Sequence, residues 1–294
     1  MEKTVYLSTA VFFFGAIIGS FLTACIYRLP LGKYEPTREI PAVPAHPTAT
    51  LSSPKRSFCP NCGGQLKWWH NIPILSWVIL GGKCSYCSKA IPFRYPLVEL
   101  ITASCALLTL YRFGPTPTAV LVFVFLAALI VITFIDIDYM IIPNSISLPG
   151  TVIAVAIGAI QQFLPNPIFD FPIVFDLTSS VLGILAGAGF LYCVAEGYLR
   201  LRKREGLGLG DVKLLALIGA LLGPRCALFT IISSSVVALL VMLPLIVLSK
   251  RGFQQHLPFG PYIAFGAFLF IFFFSTIFIP FSPPIIWWIS VVPH

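Results

Sequence analysis

Long apolar runs dominate the chain, separated by polar breaks that are short except for one at residues 28–94. They cover residues 5–27, 95–111, 119–135, 146–164, 177–199, 213–222, 226–248 and 262–279. Most of these runs are continuous, with no polar stripe recurring at the helical period, which predicts helices surrounded by lipid or by other apolar helices. The sixth run has ten residues, too few for a full crossing of ~20. Gly223-Pro224-Arg225 separates it from the seventh. A short helix that turns back there returns Lys250 and Arg251 to the side of the other basic loops. The pattern predicts an all-α polytopic membrane protein of about eight helical segments. A tail at residues 285–292, with Trp287 and Trp288, is expected at the membrane interface. The sequence shows no internal repeat.

Of 294 residues, 57% are hydrophobic and 10% charged, and the mean hydropathy is +0.92. A soluble domain carries about 25% charged residues, so soluble enzymes and disordered scaffolds are excluded. The net charge of +8 is concentrated in one place. Residues 28–94 hold nine Lys and Arg against Glu35 and Glu39, and Arg200, Arg202, Lys203 and Arg204 form a second cluster. Residues 165–176 have two acids and no base. Basic loops mark the cytoplasmic side, so topology accounts for the charge and no nucleic-acid partner is expected. Only Glu2 and Lys3 precede the first run, while Arg28, Lys33 and Arg38 follow it. That order predicts a retained helix rather than a cleaved signal. Three parts result: a first membrane helix at 1–27, a cytoplasmic loop at 28–94 whose first half is proline-rich and extended, and a membrane domain at 95–294.

The loop carries the first chemical signal. Cys59-Pro-Asn-Cys62 and Cys84-Ser-Tyr-Cys87 are two CxxC pairs with 21 residues between them. Four thiolates close a tetrahedral zinc site that leaves no open position, so the expected role is structural. Disulfides fit poorly in a reducing compartment, and a redox motif needs one CxxC only. The other cysteines, Cys25, Cys105, Cys193 and Cys226, lie in apolar runs and read as small core residues.

The second signal is a set of acids at the ends of apolar runs. Asp136 and Asp138 close the third run, and Asp211 opens the sixth after Gly208 and Gly210. By the predicted topology these ends emerge on one side, so two helix termini can bring together carboxylates from distant parts of the chain. A pair sharing one proton supplies an acid and a base for peptide hydrolysis. The glycines permit close approach of a backbone or substrate strand. An N-cap role for Asp211 and simple solvation of Asp138 are the plainer readings.

These strings resemble the type IV prepilin leader peptidases. Gly208-Leu-Gly-Asp-Val-Lys-Leu214 is similar to that family's GxGD signature, and Asp136 with Ile142-Pro143-Asn144 to its first aspartate motif. Gly19-Ser-Phe-Leu, the two CxxC pairs, Asn71-Ile-Pro-Ile-Leu-Ser-Trp77, Arg94-Tyr-Pro-Leu-Val-Glu99 and Pro258-Phe-Gly-Pro261 follow in the family's order. The resemblance implies a bifunctional enzyme of the bacterial inner membrane with its active site facing the cytoplasm. Such enzymes remove the basic leader of prepilins and type II secretion pseudopilins, then N-methylate the new N-terminus with S-adenosylmethionine. They serve the pilus or type II secretion machinery. It implies Asp136 and Asp211 as catalytic, with Asp138 in reserve, and Cys59, Cys62, Cys84 and Cys87 as zinc ligands. Gly208, Gly210 and Lys213 support the site, and Glu99 is a candidate contact for the methylation centre or the substrate amine, or else an acid favourable to its helix dipole. Thr23 departs from the Asn usual in the family, which bears on methyl transfer; a peptidase lacking that activity is the alternative. No glycine-rich dinucleotide-type loop marks a site for the methyl donor.

Two other classes compete. A proton-coupled transporter predicts acids at mid-membrane and inverted repeats. An assembly platform predicts that the cysteines, and not the aspartates, are indispensable.

Overall fold

A computed structural model describes residues 2–31, 50, 53, 56–59, 61–174, 176–203, 208–249 and 258–274. Most of the proline-rich stretch, Arg204, Lys250, Arg251, the end of the 262–279 run and the 285–292 tail lie outside the described residues. The described chain is nearly all helical: α1 (Glu2–Arg28), α2 (Leu75–Ile79), α3 (Arg94–Phe113), α4 (Pro117–Tyr139), α5 (Asn144–Gln161), α6 (Leu177–Ile184), α7 (Phe190–Arg202), α8 (Leu209–Ser249) and α9 (Gly260–Leu269). A π-helical turn joins α6 to α7, and another extends α9. Six of these segments are long and apolar enough to cross a membrane, with Gly260–Phe273 as a shorter apolar helix. The protein is therefore a multi-pass membrane protein. Length and composition support six spans where eight helical segments are expected: the sixth and seventh are counted together as α8, and only the first part of the eighth lies among the described residues.

That helix is not straight. Gly223 has φ 79°, ψ 179°, outside the helical region and costly for any residue with a Cβ. A Cβ built on Gly187 would lie 3.0 Å from the Leu215 carbonyl oxygen and 3.1 Å from Ala227 Cβ. Leu215 and Ala227 thus stand within about 6 Å of each other, whereas twelve residues of unbroken helix would separate them by about 18 Å. The chain doubles back at Gly223, as the Gly-Pro signal predicts.

The first half of α8 runs beside α5 and α6. Gly210 touches Ile142 at one end, and the Leu221 carbonyl accepts from Val174 N (3.0 Å) at the other. Gly183 on α6 and Gly219 on α8 meet backbone to backbone, so close that a methyl on either would overlap the other chain. Small residues of this kind let apolar helices pack where lipid gives no hydrophobic drive.

On the other flank, α1 lies on α3 through Gly15 and Gly19. A Cβ on Gly19 would come 2.6 Å from Glu99 Cα. Between these flanks stands α4, started by the Thr116 hydroxyl accepting from Ala119 N (3.3 Å) and by Pro117 at its first turn. Val122, Ile132 and Ile135 are fully buried in it. Large apolar side chains such as Phe13, Phe14, Val120, Leu239 and Leu240 are exposed, as expected for surfaces bathed in lipid rather than water.

Candidate functional site: a carboxylate pair and a four-cysteine cluster

Asp136 lies on the last turn of α4 and is buried, 5% exposed. Its Oδ2 accepts a hydrogen bond from the backbone N–H of Gly260 (2.9 Å), 124 residues away at the start of α9. A Cβ at position 260 would fall 2.8 Å from that same oxygen, so the amide reaches the acid only because residue 260 is glycine. Asp211 lies in the first turn of α8, its N–H donating to the Gly208 carbonyl (3.1 Å). The two carboxylates interact electrostatically.

The loop between α4 and α5 holds the Asp211 turn in place. Ile142 contacts Gly210, and Lys213 Nζ donates to Asn144 Oδ1 (3.0 Å). The Ile-Pro-Asn string and the Lys of Gly-Asp-Val-Lys, distant in sequence, are therefore one structural unit.

Asp138 is not part of this pair. Its carboxylate forms an ion pair with Arg94 at the start of α3, whose guanidinium also donates to the Phe134 carbonyl (3.1 Å) and covers the Phe134 ring. The plainer reading of Asp138, simple solvation, does not describe it: its side chain is 14% exposed and ties α3 to α4. This contact also puts the cysteine loop, which leads into α3, at the same end of the bundle as the aspartates. Sequence reading missed the Gly260 amide and the Arg94 partner. Pro258-Phe-Gly-Pro261, a glycine at a helix start between prolines, was the available signal for the former.

The cysteine loop folds as two copies of one knuckle. Cys59 N donates to the Gly64 carbonyl and Gly63 N to the Cys59 carbonyl (2.9 Å each); Cys84 N and Ser88 N repeat this with Lys89 and Cys84. Gly63 and Ser88 both take positive φ, 69° and 57°, at the equivalent step. The four Sγ atoms lie within 4.8 Å of one another, Cys59 and Cys87 at 3.9 Å. Thiolates at 2.3 Å from a tetrahedral ion stand about 3.8 Å apart, so the cluster fits a metal ion of that kind. Burial pushes the Cys59 thiol up to about 12. For Cys84 burial also acts upward, but the Tyr86 and Cys87 amides and the neighbouring thiols outweigh it and bring it to about 7.

Between this loop, α1 and the start of α3 lies a cavity of about 160 Å³. Thr23, Tyr27, Trp77, Tyr95 and Glu99 are among the residues lining it. Thr23 donates its hydroxyl to the Ser20 carbonyl (2.7 Å), within its own helix. Glu99, 8% exposed, accepts from Ile74 N (2.7 Å).

The bacterial peptidase A24 N-terminal domain matches residues 13–113, and the type IV leader peptidase family matches residues 123–243. The chain is 35% identical over 274 residues to the prepilin leader peptidase/N-methyltransferase of Burkholderia pseudomallei (strain 1026b), covering 88% of this chain and 83% of that one. With the protein of the same name from Pseudomonas putida the identity is 30% over 275 residues, covering 92% and 91%. That from Stutzerimonas stutzeri is 34% identical over 260 residues, covering 85% of each. No solved structure matches. With its GxGD turn facing a buried aspartate across the bundle and both family domains matched in order, this chain belongs to the type IV leader peptidase family.

Proposed function

We propose that the protein is a membrane aspartic endopeptidase that removes the leader of type IV prepilins and type II secretion pseudopilins and then methylates the new N-terminus. The observation that carries this reading is the meeting of Asp136 and Asp211 at the loop-bearing end of the bundle, with the Gly260 amide on one carboxylate. Acids at helix ends, rather than at mid-span, speak against a proton-coupled carrier.

Asp136 and Asp211 are the catalytic pair, sharing one proton. Asp136 Oδ2 is engaged by Gly260, which leaves Oδ1 to face a water or the scissile carbonyl. The ionised partner takes a proton from water as its oxygen bonds to the carbonyl carbon. The protonated partner gives its proton to the carbonyl oxygen, and collapse with protonation of the leaving amine breaks the C–N bond. Gly208, Gly210 and Lys213 position the Asp211 turn. The basic loop faces the cytoplasm and the chain resides in the bacterial inner membrane, where a prepilin, itself a basic leader followed by an apolar helix, arrives by lateral diffusion. The pilus or secretion machinery takes the product.

Cys59, Cys62, Cys84 and Cys87 hold a structural zinc ion that closes the two knuckles on each other. S-adenosylmethionine supplies the methyl group. Incubating purified protein with a prepilin and that donor, and reading product mass, tests the whole reading. Leader loss plus one methyl is expected. Leader loss without the methyl leaves a peptidase only, and normal cleavage by Asp136→Asn or Asp211→Asn overturns the aspartate mechanism.

A further inference from the structure

The methyl donor has no sequence fingerprint in this chain, yet the cavity between α1, α3 and the cysteine loop has the chemistry of one. Tyr27 lines it, and the Tyr27 hydroxyl is buried with no hydrogen-bond partner. Leaving such a group unpaired in a folded protein is destabilising. Tyr27 lines the cavity while its hydroxyl lies covered and unpaired beside it, a donor and acceptor that a polar ligand displacing the cover would satisfy.

The wall is also polarised along its length. Glu99 stands at one end, hydrogen-bonded by Ser20 and by Ile74 N. Arg28 stands at the other, held by the Thr50 and Arg56 carbonyls and the Phe58 ring. Ser20 and Arg28 are eight residues apart on α1, about 12 Å. Between them lie the rings of Tyr27, Tyr95 and Trp77. A carboxylate, then aromatic faces, then a guanidinium suits an elongated ligand carrying a sulfonium and a carboxylate. Soft cations bind over aromatic faces and beside acids, and an arginine pairs with a carboxylate in a forked geometry.

One further detail shows that this wall is built rather than incidental. Ile74 has φ 61°, ψ −53°, a conformation that β-branched residues avoid, and Leu75 N donates to the Pro73 carbonyl across it (2.5 Å). This is a strained γ-turn. It presents the Ile74 N–H to Glu99, and Ser76 and Trp77 follow it directly into the cavity wall. Strain persists where surrounding structure over-determines it, which is common at binding sites.

We infer that this cavity is the S-adenosylmethionine seat, with Glu99 and the Tyr27, Tyr95 and Trp77 rings taking the sulfonium end, the Tyr27 hydroxyl supplying a hydrogen bond, and Arg28 taking the carboxylate. The inference rests on the methyltransferase half of the proposed function. Thr23 lies on the same wall, so the departure at that position is a change in the donor site and not in the peptidase site. The aspartate pair lies on other helices, so donor binding and hydrolysis are separable.

Equilibrium dialysis of tritiated S-adenosylmethionine against the zinc-loaded, detergent-solubilised full chain tests it, with ultraviolet cross-linking to identify the labelled peptide. Zinc content and melting temperature report folding of each variant. Saturable binding with label in the peptides bearing Trp77 or Tyr95 is expected. Tyr27→Phe should weaken binding about 2–10-fold, Glu99→Gln about 10-fold or more, and Thr23→Trp, which fills the cavity, should abolish it. Binding that all three variants retain, or label elsewhere, overturns the assignment while leaving the methyltransferase reading intact. No saturable binding by the unaltered protein at millimolar donor overturns that reading itself, and this inference with it.

Discussion

The four cysteines come from two knuckles, each of which closes on its own backbone within six residues, Cys59 to Gly64 and Cys84 to Lys89. The two aspartates come from α4 and α8, 75 residues apart, with α5, α6 and α7 between them in the chain and α9 supplying an amide to the first. The first site is local chemistry, two closed knuckles whose four thiols converge where they could hold a metal ion. The second is assembled by the bundle, its parts held by a glycine amide from α9 and by the Asn144–Lys213 bond between the α4–α5 loop and α8. A local site depends on its ligands, while an assembled one depends equally on residues that do no chemistry.

The strongest way to break this comparison is to change the acids. Asp136→Asn and Asp211→Asn should each lower prepilin cleavage about 100- to 10,000-fold, measured by leader loss in intact-mass spectra, with the melting temperature unchanged. Gly260→Ala sharpens it. The added methyl falls on Asp136 Oδ2, and displacement of a reacting group by ~1 Å costs up to about 100-fold in kcat. If the pair is assembled as described, KM for the prepilin stays within about twofold while kcat drops. If the cluster holds zinc as proposed, atomic emission should read about one zinc ion per chain, and Cys84→Ser or exhaustive chelation should remove it. The loop should then become protease-sensitive, while residual cleavage exceeds that of either Asn variant. Smallest is the Arg94–Asp138 pair, half-way between exposed and buried. Arg94→Ala should cost about 1–3 kcal/mol in a denaturation series, and Asp138→Asn should keep cleavage within about tenfold, since Asp138 belongs to a tie between α3 and α4.

Much of the fold was legible because lipid imposes a simple rule: every apolar run long enough must be a helix. The turn at Gly223-Pro224 was legible for the same reason, since only a break there returns the following basic residues to their side. The four-cysteine cluster was read from spacing alone, as its knuckles are local. The aspartates were visible as acids where acids are costly, but their partners were not. Nothing in the string around Asp138 names Arg94, 44 residues earlier, and nothing around Asp136 names Gly260. By length and composition alone the spans number six, because the two antiparallel halves of α8 run on from each other through one glycine and α9 is short among the described residues. Neither the cavity beside Glu99 nor the strained turn at Ile74 leaves a pattern: the cavity lies where the cysteine loop meets α1 and α3, a packing that Gly15 and Gly19 permit without announcing what it encloses.

The Gly260 bond also has a consequence in time. Asp136 and Asp211 leave the ribosome before residue 260, so a nascent chain carries both acids while the amide that bonds the first of them is still to come. The proposed carboxylate pair thus gains its backbone donor only when α9 has been made, and a chain cut short before residue 260 lacks the hydrogen bond to Asp136.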